Sequence, residues 1–249
     1  MILTSKNNPL IKETASLKEK KGRKALGSFL VEGWKMANEC QKSGMNVEYA
    51  FVTESFKGEL FIPNEKIVKV TDDVLKHLSD EKTPQGVVCR VQTPIRALKK
   101  PTDKCLLLDG VADPGNMGAI IRTANAAGYR QIYLTNDCTD PYSPKSVRAS
   151  MSGVFFTEIY TGAREELIEL FSGVPLFVAD MDGENLFKTS APNCFALIIG
   201  NEANGVSALM KDAATKRVRI PMQETQESLN AAVSAGIAMY LLARKEFEN

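Results

Sequence analysis

Apolar residues occur in short runs that alternate with amphipathic segments along the second half of the chain. Continuous apolar runs are typical of strands that are buried on both faces of a sheet. Such strands are predicted at 105–108, 131–134, 176–179, 195–199 and 217–220. Helices are predicted between or after them, at about 117–127, 164–171 and 228–245. This alternation predicts a parallel α/β sheet.

The first 95 residues have a more mixed pattern. Short strands are predicted at 29–31, 49–52, 67–70 and 86–91, and helices at 11–24, 33–42 and 74–78. Prolines and lysines between residues 92 and 102 predict a linker. We therefore expect a domain over 1–95, a linker over 96–103 and a second domain over 104–249.

Positive charge is concentrated at the N-terminus. Residues 1–28 contain seven lysine and arginine residues and two glutamates, a local charge of +5 on a chain whose net charge is +1. A basic end of this kind attracts phosphate groups without regard to base sequence. It is also typical of an ordinary solvated helix face. Charge alone leaves both interpretations open.

The cysteines and the apolar runs limit where the protein works. The five cysteines have no CxxC spacing, which favours reduced thiols in a cytoplasm and argues against a metal site. No apolar run has the length of a membrane span, and the first residues lack the apolar core of a signal peptide. We expect a cytoplasmic protein with no membrane partner and no metal.

A polar island, Asp113 to Arg122, follows the first strand of the second half. Ligands bind beyond the carboxyl ends of strands in such sheets, and glycines permit close backbone approach. Asn116 is either a ligand contact or only a helix N-cap. Arg122, beside apolar neighbours, is either an ion-pair partner or a contact to phosphate and ribose. The spacing of Gly115 and Gly118 does not fit GxGxxG, which argues against a nicotinamide-dependent oxidoreductase.

Two further islands follow later strands. The segment from Gly200 through Glu202 to Gly205 is either a ligand loop or a tight turn with a surface glutamate. Pro221 ends a strand, and Ser228 is predicted to cap the last helix. That helix is rich in alanine, serine and glycine, which suits close packing within the chain or a homodimer interface.

The three islands together resemble the motifs of the SpoU/TrmH family, the RNA ribose 2′-O-methyltransferases of the SPOUT superfamily. The matching patterns are Asn-x-Gly-x-x-x-Arg at 116–122, Gly-x-Glu-x-x-Gly at 200–205, and Ile-Pro-Met at 220–222 with Ser-Leu-Asn at 228–230. The segments at 29–33 and 83–86 resemble the family's substrate-binding domain, which is similar to RNA-binding ribosomal proteins.

The resemblance implies a fold and a cofactor. The C-terminal part is expected to be a parallel-sheet domain with a deep trefoil knot, and the protein a homodimer with active sites near the subunit interface. The knotted loops are expected to hold S-adenosylmethionine in a bent shape. The implied cofactor-binding residues are Gly200, Gly205, Ile220, Met222 and Leu229.

The resemblance also implies a reaction. The expected catalytic residues are Arg122, Asn116, Glu202, Ser228 and Asn230. Because a guanidinium rarely gives up its proton, we expect Arg122 to hold a phosphate and stabilise the developing alkoxide rather than act as a base. The expected RNA-binding residues are Lys18, Lys20, Lys21, Arg23 and Lys24. The additional N-terminal domain favours ribosomal RNA; the alternatives are a tRNA 2′-O-methyltransferase and a non-catalytic RNA-binding protein.

Overall fold

A computed structural model describes residues 2–226 and 228–248. The chain divides into two compact units. The first contains the described residues up to Ile95 together with Asp140–Phe155. The second contains Arg96–Thr139 and the described residues from Phe156 onward.

The secondary structure alternates between strands and helices throughout. The strands of the described residues are β1 (Ile2–Leu3), β2 (Ser28–Glu32), β3 (Val47–Thr53), β4 (Ile67–Val70), β5 (Val87–Gln92), β6 (Cys105–Asp109), β7 (Gln131–Thr135), β8 (Glu158–Gly162), β9 (Leu176–Asn185), β10 (Ala196–Gly200) and β11 (Lys216–Arg219). The α-helices are α1 (Pro9–Ser16), α2 (Lys20–Leu26), α3 (Trp34–Lys42), α4 (Asp72–Leu78), α5 (Pro114–Ala126), α6 (Pro144–Ser150), α7 (Gly153–Phe156), α8 (Arg164–Leu170), α9 (Ala208–Asp212) and α10 (Ala231–Leu242). No helix within the described residues is long and apolar enough to cross a membrane.

The first unit is built on a mixed sheet in the order β1-β4-β3-β5-β2. Strand β5 is antiparallel to both of its neighbours, whereas β3, β4 and β1 run parallel. Apolar side chains of the strands and of α1 and α4 form its core, among them Leu30, Phe51 and Leu78. The single helix predicted over 11–24 is wrong, because the chain turns between α1 and α2.

The second unit is built on a parallel sheet in the order β11-β9-β10-β6-β7-β8. Side chains such as Leu107, Tyr133 and Ile198 are completely or almost completely buried, which confirms the parallel α/β sheet predicted from the apolar runs. In the sheet, β6 has β7, the next strand along the chain, on one side and β10 on the other. This is a switch in strand order, and ligands of α/β proteins bind beyond the carboxyl ends of the strands at such a point.

Residues Asp140–Phe155 belong to the first unit, unlike the division expected from sequence. Asp140 accepts a hydrogen bond from Arg23 Nε at 2.7 Å, and Arg148 pairs with Asp80 at 2.7 Å. Arg23 Nη1 also donates to the carbonyl oxygens of Leu17 and Lys18. Ion pairs between residues far apart in the chain cannot be predicted from local composition. The sequence therefore did not indicate that Asp140–Phe155 belong to the first unit.

Replacing Arg23 with alanine should destabilise the first unit. The guanidinium is nearly buried, and its loss leaves two carbonyl groups and the Asp140 carboxylate without their donor. We expect the free energy of unfolding to fall by about 2–4 kcal/mol in chemical denaturation. Lys24→Ala removes the same charge from an exposed position of the same helix and should change it by less than about 0.5 kcal/mol. Equal effects of the two variants would contradict this account of Arg23.

Candidate active site

Helix α5 begins directly beyond the carboxyl end of β6. Asp113 is its N-cap, and Asp113 Oδ1 accepts a hydrogen bond from the Asn116 backbone amide at 2.8 Å. Pro114 occupies the first helical position, where a missing N–H costs nothing. The interpretation of Asn116 as the N-cap is therefore wrong, and its side chain is available for other contacts.

The Glu202 carboxylate joins the loop after β10 to the start of α5. It accepts hydrogen bonds from the backbone amides of Ala112 at 3.0 Å and Asp113 at 3.1 Å, and from Asn116 Nδ2 at 2.9 Å. Burial alone raises the pKa of this carboxyl, but these donors outweigh that effect and the pKa is lowered from its ordinary value. Glu202 is consequently ionised at neutral pH and accepts three hydrogen bonds.

Asn230 extends this arrangement to the last helix. Asn230 Nδ2 donates to Asn116 Oδ1 at 2.9 Å, while Asn230 Oδ1 accepts from the backbone amides of Ala232 and Val233. The N-cap of α10 is therefore Asn230, and the prediction of Ser228 as the cap is wrong. We call Glu202, Asn116 and Asn230 the polar row.

The loop that carries Glu202 has a fixed shape. A Cβ atom on Gly200 would lie 2.2 Å from the Gly205 carbonyl carbon, and Gly205 has φ +68°. Asn201 Oδ1 accepts from the backbone amides of Ala203 and Asn204, and Asn201 Nδ2 donates to the Gly110 carbonyl at 2.8 Å. Both glycines are thus required, and this segment is more than a tight turn with a surface glutamate.

Sequence reasoning missed the buried group that supports this loop. Asp109, the last residue of β6, accepts from the Ser207 backbone amide at 2.7 Å and from Arg164 Nε at 2.6 Å. Its side chain is completely buried, and Arg164 also pairs with Asp137 at 2.7 Å. A carboxylate that ends a strand buried on both faces was the available signal, because such a charge is costly without partners.

A cavity of about 530 Å³ opens beside the polar row, within the second unit. The residues predicted to bind the cofactor all line it, namely Gly200, Gly205, Ile220, Met222 and Leu229. Ser228 and Glu202 contribute to the same wall. The volume lies in the range of small-molecule sites, and the walls combine apolar with polar and charged residues.

Arg122 lies on α5 and is exposed to solvent. It has no hydrogen-bond or ion-pair partner within residues 2–226 and 228–248. The interpretation of Arg122 as an ion-pair partner is therefore not realised in the described part of this chain. Its five N–H donors remain available to an anionic ligand.

The basic residues predicted to bind RNA fall into two groups. Lys20, Lys21 and Lys24 project from α2 into solvent. Lys18 Nζ instead donates to the His77 carbonyl at 2.7 Å, and the Arg23 guanidinium is buried against Asp140. Arg23 is thus a structural residue. Among the described residues, no group of three histidine, cysteine, aspartate or glutamate side chains is arranged to hold a metal ion.

The Glu202→Gln variant should reveal the charge dependence of the polar row. A carboxyl whose pKa is lowered by folding stabilises the folded state above its ordinary value of 4.5, and this contribution is lost as the pH falls through the lowered value. Wild type should therefore exceed the variant in free energy of unfolding above about pH 5. The difference should shrink as the pH falls below 4.5 in denaturant titrations. A difference that is independent of pH would contradict this.

Comparison with known proteins extends these observations. The SpoU rRNA Methylase family model matches residues 103–240, and a model described as an MRM3-like substrate binding domain matches residues 8–89. The 23S rRNA (guanosine(2553)-2′-O)-methyltransferase RlmP of Bacillus subtilis is 29% identical to this chain, covering 96% of it and 98% of the relative.

Solved structures give the same picture. An AdoMet-bound rRNA methyltransferase from Sinorhizobium meliloti superposes with a TM-score of 0.88 at 28% identity, covering 100% of this chain and 99% of its own. A protein of the TrmH family from Porphyromonas gingivalis has a TM-score of 0.88 at 29% identity, covering 96% and 98%. Two of the three motifs line one cavity, and Asn116 of the first is hydrogen-bonded to Glu202 and Asn230 of the other two. Because the matching family model also spans more than half of its length, the chain belongs to the SpoU rRNA methylase family.

Proposed function

We propose that this protein transfers the methyl group of S-adenosylmethionine to a ribose 2′-hydroxyl of ribosomal RNA. The observation that carries the proposal is the cavity lined by all five predicted cofactor residues, which adjoins the polar row through Glu202. Relatives that match nearly the whole chain are named as rRNA 2′-O-methyltransferases. The match to a substrate-binding domain over residues 8–89 favours ribosomal RNA further.

The cavity residues fit S-adenosylmethionine. Gly200 and Gly205 give the lining loop its shape, and Ile220, Met222 and Leu229 supply apolar surface. When bound, the cofactor supplies a methyl group that is activated by its positively charged sulfur, so the protein needs chiefly to position and orient the reactants. We propose that these five residues hold it.

The polar row is proposed to orient the ribose. Both ends of the Asn116 side-chain amide are held. Its Nδ2 donates to Glu202, which can only accept hydrogen bonds, and its Oδ1 accepts from Asn230. We assign Glu202 a positioning role, since its lowered pKa and three donors disfavour it as a proton acceptor. Ser228 presents its hydroxyl-bearing side chain in the cavity wall as a further contact.

Arg122 is proposed to act on the RNA. Its exposed guanidinium can bind the phosphate next to the target ribose and stabilise the negative charge that develops on the 2′-oxygen. A guanidinium with a pKa above about 12 is a poor general base, so this role fits its chemistry better than proton removal.

Arg122→Ala should slow methyl transfer without weakening cofactor binding. We expect kcat to fall by about 100-fold to 1,000-fold, because one charge-stabilising donor is lost. The affinity for S-adenosylmethionine in calorimetric titration should remain within about twofold, since Arg122 does not line the cavity. Arg130→Ala, an exposed arginine of the same unit, serves as the control and should retain activity. A parallel loss of cofactor affinity in Arg122→Ala would show that Arg122 has a structural role.

The protein is proposed to be a homodimer that uses helix α10. This helix is apolar around its whole circumference, and it packs on α5 and β10 through its buried face. Val233 and Tyr240 remain half exposed on its other side, and the tilted ring of Phe247 lies beside Tyr240 at 5.2 Å between ring centroids. An exposed apolar surface on a close-packed helix suits a second copy of the chain.

Two further features follow from family membership and remain proposals. We infer that the loops after β10 and β11 form a trefoil knot, as the resemblance to the SpoU/TrmH motifs implies. We also place the protein in the cytoplasm, which its free cysteines favour.

The exposed lysines of α2 are proposed to bind the RNA backbone. Changing Lys20, Lys21 and Lys24 together to glutamine should weaken RNA binding and lower the dependence of log K on log salt by about 2–3. Lys57, Lys69 and Lys82 are exposed lysines of the same unit, and their joint change to glutamine removes the same charge. Equal losses for both triple variants would indicate a general charge effect and contradict a specific surface on α2.

Methyl transfer tests the whole proposal. Labelled S-adenosylmethionine is incubated with unmodified ribosomal RNA, with ribosomal subunits and with tRNA, and each product is digested to nucleosides. We expect label in one 2′-O-methylated nucleoside from ribosomal RNA. Label only in tRNA would favour the alternative substrate. An absence of both transfer and cofactor binding would favour a non-catalytic RNA-binding protein.

A further inference from the structure

The proposed mechanism leaves one ion pair in the cavity wall unused. Asp180 follows the apolar part of β9, and its Oδ2 accepts a hydrogen bond from Lys211 Nζ of α9 at 2.8 Å. Both residues line the cavity. The Asp180 side chain is only 8% exposed, so this carboxylate is withdrawn from bulk water.

Asp180 has acceptor capacity to spare. Its oxygens accept from Lys211 and, at 3.4 Å, from the Asp182 backbone amide. An ionised carboxylate offers about four acceptor sites, so these two donors, the ones found among the described residues, leave about half of them for a ligand. Burial alone raises the pKa of Asp180, but Lys211, the Asp182 amide and the charge of Arg217 lower it overall. The group is therefore a charged acceptor at neutral pH.

The strand order places Asp180 away from the reacting end of the site. Asn116 lies beyond the end of β6, whereas Asp180 lies on β9, two strands away across β10. Neighbouring strands are about 4.8 Å apart, which separates β6 from β9 by roughly 10 Å. Delivery of the methyl group beside Asn116 leaves the Asp180 end of the cavity for the nucleoside half of the cofactor.

The donors of that half are the ribose hydroxyls and the adenine amino group. Two neighbouring hydroxyls match the two oxygens of one carboxylate, and acidic side chains bind ribose hydroxyls at the strand ends of other α/β proteins. We propose that Asp180, held by Lys211, accepts hydrogen bonds from the ribose hydroxyls of S-adenosylmethionine. This inference rests on the proposed function, because it concerns the same cofactor site.

Calorimetric titration of the full-length protein tests it. The probes are S-adenosylmethionine, S-adenosylhomocysteine and the 2′-deoxy and 3′-deoxy forms of S-adenosylhomocysteine. Asp180→Asn should bind both unmodified compounds at least about 10-fold more weakly than wild type, as expected for loss of a charged acceptor. At least one deoxy compound should bind wild type about 10-fold more weakly than S-adenosylhomocysteine does. The affinity of that compound should be less than about twofold lower in Asp180→Asn than in wild type.

The matched control is Asp182→Asn, which removes the same charge two residues along, outside the cavity. It should leave every affinity unchanged.

The ribose contact would be overturned if Asp180→Asn bound S-adenosylmethionine as tightly as wild type does. It would also be overturned if the substitution weakened the binding of all four compounds equally, which is the result that a contact to adenine predicts. If the variant fails to fold, the proposal is overturned when wild type binds both deoxy compounds as tightly as it binds S-adenosylhomocysteine. Wild type that binds none of the compounds would refute the proposed function itself.

Discussion

The Glu202 carboxylate is the constraint on which the rest of the site depends. It accepts hydrogen bonds from the loop before α5 and from the Asn116 side chain, and thereby ties the loop after β10 to the helix after β6. Because a carboxylate only accepts, Asn116 must present its amino group to Glu202 and its oxygen to Asn230. Asn230 then has its own oxygen left to cap α10. One charge therefore sets the orientation of two amides and the start of one helix.

The sheet makes this arrangement possible. Strands β6 and β10 are adjacent in the sheet although they lie about 90 residues apart in the chain. Glu202 and Asn201, in the loop after β10, form hydrogen bonds with the backbone of the loop after β6. Behind the polar row, the buried Asp109 fixes the end of β6 against the Ser207 amide and Arg164. The cavity wall and the polar row thus share a rigid support, which suits a reaction that depends mainly on positioning.

Sequence alone was sufficient for the parallel sheet and for the position of most strands, because continuous apolar runs reflect burial on both faces. The resemblance to the SpoU/TrmH motifs pointed to five residues that line the cavity, and their role as cofactor ligands stays a prediction. Sequence alone failed where long-range partners decide the outcome. Arg23 was grouped with the RNA-binding lysines because its burial against Asp140 is invisible in local composition. Ser228 was preferred to Asn230 as the cap of α10, since both residue types are good caps and only the contact to Asn116 distinguishes them. Asp109 and Asp180 were overlooked because a single acidic residue after a strand carries no spacing pattern.

The most direct test of the central claim is a double-mutant cycle between Glu202 and Asn230, which do not need to touch because Asn116 connects them. The variants are Glu202→Gln, Asn230→Ala and their combination, measured by single-turnover methyl transfer with and without Asn116→Ala. We predict a coupling energy of about 1 kcal/mol or more that disappears in the Asn116→Ala background. Additive effects of the two changes, or a coupling that persists without Asn116, would contradict a polar row that acts as one unit.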